Sequence, residues 1–214
     1  MSKGHLSSGW AATPVGAVTE TVAAYDLGAE EYSQRFASVD FQRYLMTFLN
    51  ELPARSVVLD AGCGPGRDLA RLSNLGRAVV GLDLSSGMIS CARRAAPRAQ
   101  LANGDVRFLP FAGSTFGGVW HCASLVHLSP PDVTRAVTEA RRVLLPNGVL
   151  FLSVASGEGA EWRPAGNGRR WFHYYRLSQL IRIVEQAGLV VLSAAEEPGI
   201  AHGKWINIFS RKSA

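Results

Sequence analysis

Three glycines at alternate positions follow a short apolar run and precede a helical pattern. The apolar run covers residues 57–59, the glycines are Gly62, Gly64 and Gly66, and the helical pattern begins at Arg67. Glycines in such a turn let backbone N–H groups approach a ligand that a Cβ atom would hold away, and the third allows close packing where the helix begins. The segment therefore predicts a site for a nucleotide-type ligand beyond the carboxyl end of the first strand.

Acidic residues near the ends of the first three predicted strands narrow the choice of ligand. A dinucleotide fingerprint would need glycine where the chain has Arg67. Asp60 would repel a pyrophosphate but could receive the ammonium group of a methionine moiety. Asp83 ends the second strand and could accept hydrogen bonds from both ribose hydroxyls. Asp105 could accept a hydrogen bond from an adenine amine, with an apolar slot for the ring formed by Leu84, Met88 and Val106.

These segments together resemble the class I S-adenosylmethionine (SAM)-dependent methyltransferases, in particular their bacterial small-molecule branch. The resemblance rests on three patterns in order, LDxGCGxG, GxDxSxxM and GDxxxLPF, and extends over residues 25–209. It implies that the glycine loop holds the methionine part of SAM, Asp83 the ribose, and Asp105 with Val106 the adenine. It also implies that backbone from Cys122 onward contacts the methionine end, and that the segment around Tyr32 closes over the bound cofactor.

Two positions depart from the family's pattern. Gly117 stands where the family usually has aspartate, and Asn147 where it usually has glycine. Gly117 lies at the start of the fourth predicted strand, away from the carboxyl ends, and asparagine tolerates the left-handed geometry that such a turn needs. Neither departure therefore affects the predicted cofactor site.

Histidine and aromatic residues provide candidates for the site of the methyl acceptor. His127 begins the turn that would face the methyl group and could orient an acceptor or take its proton, and Tyr175 is a second candidate proton acceptor. A packing or helix-capping role is the alternative for His127, and strand-end packing is the alternative for His121 and Cys122. The predicted acceptor-binding residues are Trp10, Tyr25, His121, Trp162, Trp171, Tyr174 and Trp205. For each aromatic residue among them, core packing is the competing interpretation.

The elements that must position these residues follow from the hydrophobic pattern. Short β-branched runs alternate with amphipathic stretches, as is typical of a parallel sheet covered on both faces. We predict strands at 57–59, 78–82, 99–102, 118–122, 149–152, 189–192 and 205–209, and helices at 67–75, 86–95, 133–144 and 177–187, the last ending at Gly188 in a left-handed C-cap. The expected α/β fold is a doubly wound, mostly parallel seven-stranded sheet with the last strand antiparallel, as in the Rossmann-like methyltransferase fold.

The same pattern divides the chain into two parts. Residues 1–50 contain two short helical patterns and are predicted to form an N-terminal helical cap or lid, and residues 51–214 are predicted to form the SAM-binding domain. Residues 156–175 are expected to be a long loop between the fifth strand and the last helix, the usual place for acceptor specificity.

Composition limits the remaining function classes. The 214 residues are 47% hydrophobic and 18% charged, which is ordinary for a soluble globule, and no apolar run approaches the roughly 20 residues that cross a bilayer. Three widely spaced cysteines without zinc-ligand spacing predict a reducing, cytoplasmic setting and no metal site. The net charge of +5 is scattered through helices, so nucleic acid is disfavoured as a partner.

We therefore expect a methyltransferase that uses SAM, releases S-adenosylhomocysteine, and methylates a small aromatic metabolite, indole- or phenol-like, at O, N or activated carbon. A place in secondary metabolism and a monomeric or homodimeric state are expected with it. Two alternatives stay open. One is a tRNA-modifying methyltransferase, because residues 127–129 and 141–144 resemble such relatives. The other is a SAM-binding subunit without catalysis that activates a partner.

Overall fold

A computed structural model describes residues 13–166, 168–199 and 203–214 of the chain. The helices are α1 (Ala17–Leu27), α2 (Ala29–Phe36), α3 (Gln42–Glu51), α4 (Arg67–Asn74), α5 (Ser86–Ala95), α6 (Pro130–Val143) and α7 (Leu177–Gln186). The strands are β1 (Val58–Ala61), β2 (Val79–Asp83), β3 (Gln100–Asn103), β4 (Phe116–Cys122), β5 (Leu144–Ala155), β6 (Ala160–Ala165), β7 (Gly168–His173), β8 (Leu189–Pro198) and β9 (Lys204–Lys212).

Seven of the strands form one sheet in the order β3-β2-β1-β4-β5-β9-β8. Strands β1 to β5 pair in parallel, and β9 runs antiparallel to both β5 and β8. All four residues of β1 are buried, because helices α3, α4 and α5 cover one face and α6 and α7 cover the other. The predicted sheet is thus confirmed. The strand order reverses direction between β1 and β4, which is where ligands bind in doubly wound sheets.

The N-terminal region contributes to two different layers. Helices α1 and α2 both contact α5 near the carboxyl edge of the sheet, and α1 also contacts strand β7. Helix α3 instead packs under the sheet, where Leu45 and Phe48 are buried and the Phe48 ring centroid lies 5.2 Å from that of Trp120. Of the segment 1–50 predicted as a cap, therefore, α1 and α2 lie beside the carboxyl edge, whereas α3 covers a face.

The segment predicted as a long loop is a two-stranded antiparallel hairpin, and that prediction was wrong. Strands β6 and β7 pair so that Trp162 lies opposite Trp171 and Arg163 opposite Arg170. Gly166, with a φ of 53°, begins the turn. Aromatic cross-strand pairs stabilise such a hairpin, and the Trp162 and Trp171 rings meet edge to face with centroids 5.2 Å apart.

Two predicted left-handed residues are found as expected. Gly188 follows α7 with a φ of 81°, and Asn147 has a φ of 62° in the turn before the buried part of β5. The departure from glycine at Asn147 therefore preserves the backbone geometry that this turn needs.

Candidate active site

The glycine loop after β1 borders a cavity, but its three glycines have different roles. All three have positive φ, at 80° for Gly62, 53° for Gly64 and 89° for Gly66. A Cβ atom on Gly62 would lie 2.2 Å from the Cβ of Ser124, and one on Gly66 would lie 2.8 Å from the Cα of Ala92. A Cβ atom on Gly64 would meet nothing within 4 Å. Gly66 thus serves helix packing, whereas Gly64 leaves room for a ligand.

The cavity has a volume of about 840 Å³ and lies beside the carboxyl ends of β1, β2 and β4. Its sheet side carries four carboxylates, on Asp60, Asp68, Asp83 and Asp105. Its opposite side is formed by α1, α2, the hairpin and β9, and its aromatic lining consists of Tyr25, Tyr32, Phe36, Phe41, Tyr44, Phe172, Tyr174 and Trp205. One end of the cavity is therefore acidic and the other largely aromatic.

Asp60 is buried, borders the cavity and has one unused carboxylate oxygen. Its Oδ2 atom has no hydrogen-bond partner among the described residues. The nearby guanidinium of Arg67 is bound instead by Asp68, through contacts of 2.8 and 2.7 Å. Burial raises the pKa of Asp60 well above its ordinary value, and the negative charge of Asp68 adds to this effect. A buried carboxylate oxygen without a partner fits a cationic group such as an ammonium.

Asp83, at the end of β2, ties the glycine loop to the start of α5. Its Oδ2 accepts a hydrogen bond from the backbone N–H of Gly64 at 2.8 Å, and its Oδ1 accepts one from the N–H of Ser85 at 2.9 Å. Burial raises its pKa above the ordinary value. Each carboxylate oxygen has further acceptor capacity, so the held carboxylate can still receive the two hydroxyls of a ribose.

The slot predicted for adenine is present, but its polar edge is shared. Leu84, Met88 and Val106 all line the cavity. Asp105 also lines it, yet its carboxylate accepts hydrogen bonds from the backbone and side chain of Arg107, at 2.8 Å from N and 2.6 Å from Nη2. A carboxylate in this arrangement keeps spare lone pairs for an exocyclic amine.

Helix α1 is fastened to the cofactor side of the cavity by Asp26. Its Oδ1 accepts hydrogen bonds from the Ser85 hydroxyl at 2.6 Å and from the Gly87 N–H at 2.8 Å. A Cβ atom on Gly87 would lie 2.9 Å from the Asp26 carbonyl oxygen, so glycine permits this approach. Tyr32 of α2 lines the cavity, with its ring centroid 5.3 Å from that of Tyr25.

His127 has a defined tautomer because of its two partners. Its Nδ1 lies 2.7 Å from the carbonyl oxygen of Trp171, which can only accept, so Nδ1 carries the proton. Its Nε2, which carries no proton, lies 2.8 Å from the Tyr25 hydroxyl and accepts a hydrogen bond from it. Arg170 donates in turn to the Tyr25 oxygen at 3.1 Å. Burial lowers the pKa of His127 to about 4, against the raising effect of its hydrogen bond to Trp171, so the ring is neutral at pH 7.

Alternation along β7 decides which hairpin residues face the cavity. Arg170, Phe172 and Tyr174 line it, whereas Trp171 and His173 do not. Side chains in a strand point to opposite faces in turn. The predicted acceptor residues Trp162 and Trp171 therefore share the face of the hairpin that points away from the cavity, and their rings pack together. Trp171 still contributes, but through its carbonyl oxygen.

Tyr175 and His121, which are predicted as site residues, lie in the protein core instead. Tyr175 is fully buried, does not line the cavity, and donates its hydroxyl proton to the Leu128 carbonyl. His121 is fully buried, and its Nδ1 lies 3.0 Å from the Ser124 hydroxyl. We therefore assign packing and loop-supporting roles to both, rather than catalysis or acceptor binding.

The other predicted residues have clear positions. Tyr25, Tyr174 and Trp205 line the cavity. Cys122 does so as well, with its Sγ 3.6 Å from Nη2 of Arg67. Trp10 lies outside the described residues.

The sequence reasoning missed three residues that line or fasten the cavity: Asp26, Arg163 and Arg170. The two arginines could have been found by treating 160–174 as strands, since alternation then places Arg170 with Phe172 and Tyr174. No local signal marks Asp26, because its partners are 59 and 61 positions away.

Two features of the described residues bear on other functions. No three histidine, cysteine or acidic side chains in this part of the chain gather as metal ligands. None of the described helices has the length and apolar character required to cross a membrane.

Comparisons with known sequences point to one group of enzymes. Residues 58–148 match the family described as a methyltransferase domain. A methyltransferase-family protein of Encephalitozoon cuniculi is 33% identical over 190 residues, which cover 78% of this chain and 88% of that protein. The malonyl-acyl carrier protein O-methyltransferase of Erwinia pyrifoliae is 33% identical over 181 residues, covering 81% of this chain and 66% of that protein. The chain spans only 37% and 31% of two other curated relatives.

Comparison with solved structures supports the fold. The 1,6-didemethyltoxoflavin-N1-methyltransferase of Burkholderia thailandensis, solved with 1,6-didemethyltoxoflavin and S-adenosylhomocysteine bound, matches with a TM-score of 0.74. The match covers 99% of each chain at 19% sequence identity. At this identity the likeness establishes a shared fold and leaves the substrate of this chain open.

Proposed function

This chain belongs to the class I SAM-dependent methyltransferases, and from that premise we propose that it methylates a small aromatic metabolite at O, N or an activated carbon. The observation that carries the proposal is one continuous cavity that is acidic at the sheet and aromatic at α1, α2 and the hairpin. Its volume of about 840 Å³ is at the upper end of small-molecule sites, which run from about 300 to 1,000 Å³. It therefore suits a cofactor together with a second, small ligand.

The acidic end fits SAM in its chemistry. The unpartnered oxygen of Asp60 suits the ammonium group, Asp83 suits the ribose hydroxyls, and the open side of Gly64 leaves space beside them. Asp105 and its apolar neighbours suit the adenine. When bound, SAM supplies an electrophilic methyl group on a sulfonium. The protein must then hold the acceptor in line with that group and exclude water.

The pair formed by Tyr25 and His127 handles the proton of an acceptor hydroxyl or amine. His127 keeps Nε2 as an acceptor because Nδ1 is bound to the Trp171 carbonyl. An acceptor that donates to the Tyr25 oxygen, or that replaces Tyr25 at Nε2, meets a neutral imidazole over the whole physiological pH range. With its pKa at about 4, His127 is a weak base, so we assign it mainly to orienting the acceptor.

Methyl transfer from radiolabelled SAM to a panel of phenols, indoles and anilines tests the proposal, with unmodified tRNA as a separate arm. We expect label in at least one aromatic acceptor and none in tRNA. Label only in tRNA would replace the proposal by the tRNA-modifying alternative. If SAM binds but no arm takes label, the small-aromatic-acceptor proposal is refuted.

Variants then assign the residues. His127→Gln should lower kcat by about tenfold or more while the Kd for SAM is unchanged. Tyr175→Phe is the control, since it removes only the buried hydrogen bond to Leu128. This control should lower thermal stability and leave kcat within about twofold, as expected for a group outside the site. Equal losses of kcat in the two variants would contradict the assignment of His127.

A further inference from the structure

The cavity is electrostatically bipolar. Its sheet side carries Asp60, Asp83 and Asp105 together with the ion pair of Arg67 and Asp68. The hairpin side carries Arg163 and Arg170 on neighbouring strands. The acidic end matches the positive charge of SAM. The basic end lies on the hairpin side of the cavity, where the acceptor is expected.

Arg170 has no acidic partner. No carboxylate oxygen of the described residues lies within 4.0 Å of its guanidinium, and the segments 1–12, 167 and 200–202 contain no Asp or Glu. Its Nη1 donates to the Tyr25 hydroxyl, but its buried Nε has no partner among the described residues. The neighbouring Arg169, on the other face of β7, is paired with Glu20 at 2.8 Å. Of these two neighbours on β7, only Arg170, which faces the cavity, lacks an acidic partner among the described residues.

The aromatic surroundings of Arg170 remove water from its charge without neutralising it. The guanidinium carbon lies 5.1 Å from the ring centroid of Tyr25 and 5.7 Å from that of Phe172. A guanidinium with free donors in such a place forms strong, often bidentate, hydrogen bonds to a planar anion. The donors of Arg170 are thus arranged for a ligand that the chain itself does not supply.

Arg163 adds a second positive charge at the same ring. It lies directly opposite Arg170 in the hairpin register, and its guanidinium carbon is 4.9 Å from the Phe172 centroid. Like charges directly opposite on antiparallel strands destabilise the pair, and the partner of Arg163, Glu161, is on the exposed side at 2.9 Å. An anion between the two arginines would offset this repulsion.

We propose that the methyl acceptor carries a carboxylate and that Arg170 is the residue that anchors it, with Arg163 as a weaker second contact. This inference rests on the proposed function and narrows its acceptor to small aromatic carboxylates. Tyr25 bonds to both Arg170 and His127. An acceptor held by its carboxylate at Arg170 can therefore present a second polar group to the Tyr25 and His127 pair.

The test measures binding to the protein saturated with S-adenosylhomocysteine, by calorimetry and without methyl transfer. The probes are benzoate, 4-hydroxyphenylacetate and indole-3-acetate, each beside its uncharged amide. On the wild-type protein at least one carboxylate should bind about tenfold or more tightly than its amide, as expected for a charge-assisted contact. Arg170→Gln should reduce that preference to within about twofold, and the control Arg169→Gln should retain it.

Arg170 is assigned as the anchor only if the wild type prefers the carboxylate to the amide and Arg170→Gln loses that preference. The absence of any carboxylate preference in the wild type, or its survival in Arg170→Gln, would overturn the proposal. If Arg170→Gln does not bind S-adenosylhomocysteine, Arg163→Gln, at an exposed position, is used in its place. This variant should lower the preference for the carboxylate over the amide by about threefold. An unchanged preference in Arg163→Gln would then overturn the proposal. Failure of the proposed function would appear instead as absent label in the transfer assay.

Discussion

Replacement of Asp60 by asparagine tests how the cavity holds the positive end of SAM. Asp60 is 2% exposed, and its Oδ2 has no partner among the described residues. Asparagine keeps the size and shape of the side chain but cannot carry a negative charge. If Asp60 receives the ammonium group, Asp60→Asn removes a charge-assisted hydrogen bond and leaves the rest of the cavity unchanged.

The expected loss follows from the kind of contact removed. A hydrogen bond to a charged group contributes about 1.5 to 3 kcal/mol, so the Kd for SAM should rise by roughly 10- to 150-fold. The free protein should not lose stability. Burial raises the pKa of Asp60 above its unfolded value, so ionisation of Asp60 costs folding stability as the pH rises through the folded pKa. Asparagine avoids that cost.

Calorimetry with two ligands separates this contact from a general defect. S-adenosylhomocysteine carries the ammonium group, and 5′-methylthioadenosine lacks the whole amino-acid portion. Asp60→Asn should weaken the first ligand by the factor given above and change the second by less than about threefold. Asp83→Asn is the matched control. Because Asp83 is expected at the ribose, its replacement should weaken both ligands.

The pH dependence provides an independent check of the same contact. An ammonium group that binds beside a protonated Asp60 must displace its proton, so binding should release protons and tighten as the pH rises towards the raised pKa of Asp60. Calorimetry in buffers of different ionisation enthalpy measures this release. Equal weakening of both ligands by Asp60→Asn, or proton release that persists in the variant, would refute the reasoning.

Three further perturbations have defined outcomes. Gly62→Ala places a Cβ 2.2 Å from that of Ser124 and should lower the free energy of unfolding by about 2 to 4 kcal/mol. Adding Ser124→Gly should restore part of the lost free energy. If urea denaturation shows no such recovery in the double variant, the clash with Ser124 is contradicted. Burial lowers the pKa of His121 to about 4, so this residue should account for about 3 kcal/mol of the stability that the wild type loses as the pH falls from 6.5 to 4. The buried His127, with a similarly lowered pKa, adds a loss of its own. His121→Gln should lose less over that interval, and identical pH profiles of Tm would reject this origin. Asp26→Ala removes two hydrogen bonds to the start of α5. The variant should exchange the amide hydrogens of α1 faster and bind SAM severalfold more weakly. Unchanged amide exchange would show that other contacts hold α1.

The sheet and the glycine loop were predictable because their signals are local. A parallel sheet covered on both faces needs short, continuous apolar runs, and each predicted run lies within an observed strand or within one residue of one. The carboxyl ends of such strands meet at one edge, so Asp60, Asp83 and Asp105 could be placed together from their positions at or just beyond the ends of β1, β2 and β3 alone. All three line the cavity.

The acceptor end was harder to predict because its contacts join distant parts of the chain. Tyr25 and His127 are 102 positions apart, and Trp171 lies a further 44 beyond His127. The sequence pattern predicts a loop where the hairpin lies, and without the alternation of its strands Trp171 and Tyr174 are equivalent. Pairing of β6 with β7 turns Trp171 away from the cavity and Tyr174 towards it.

Two consecutive residues of α1 join the two ends of the cavity. Asp26 binds Ser85, whose backbone N–H is held by Asp83, the carboxylate expected at the ribose. Tyr25 binds His127 and Arg170, the residues expected at the acceptor. The position of a single helix therefore sets the geometry at both ends. A ligand that fixes α1 through the Asp26 side also fixes the Tyr25 hydroxyl, so binding at the acidic end prepares the basic end for its acceptor.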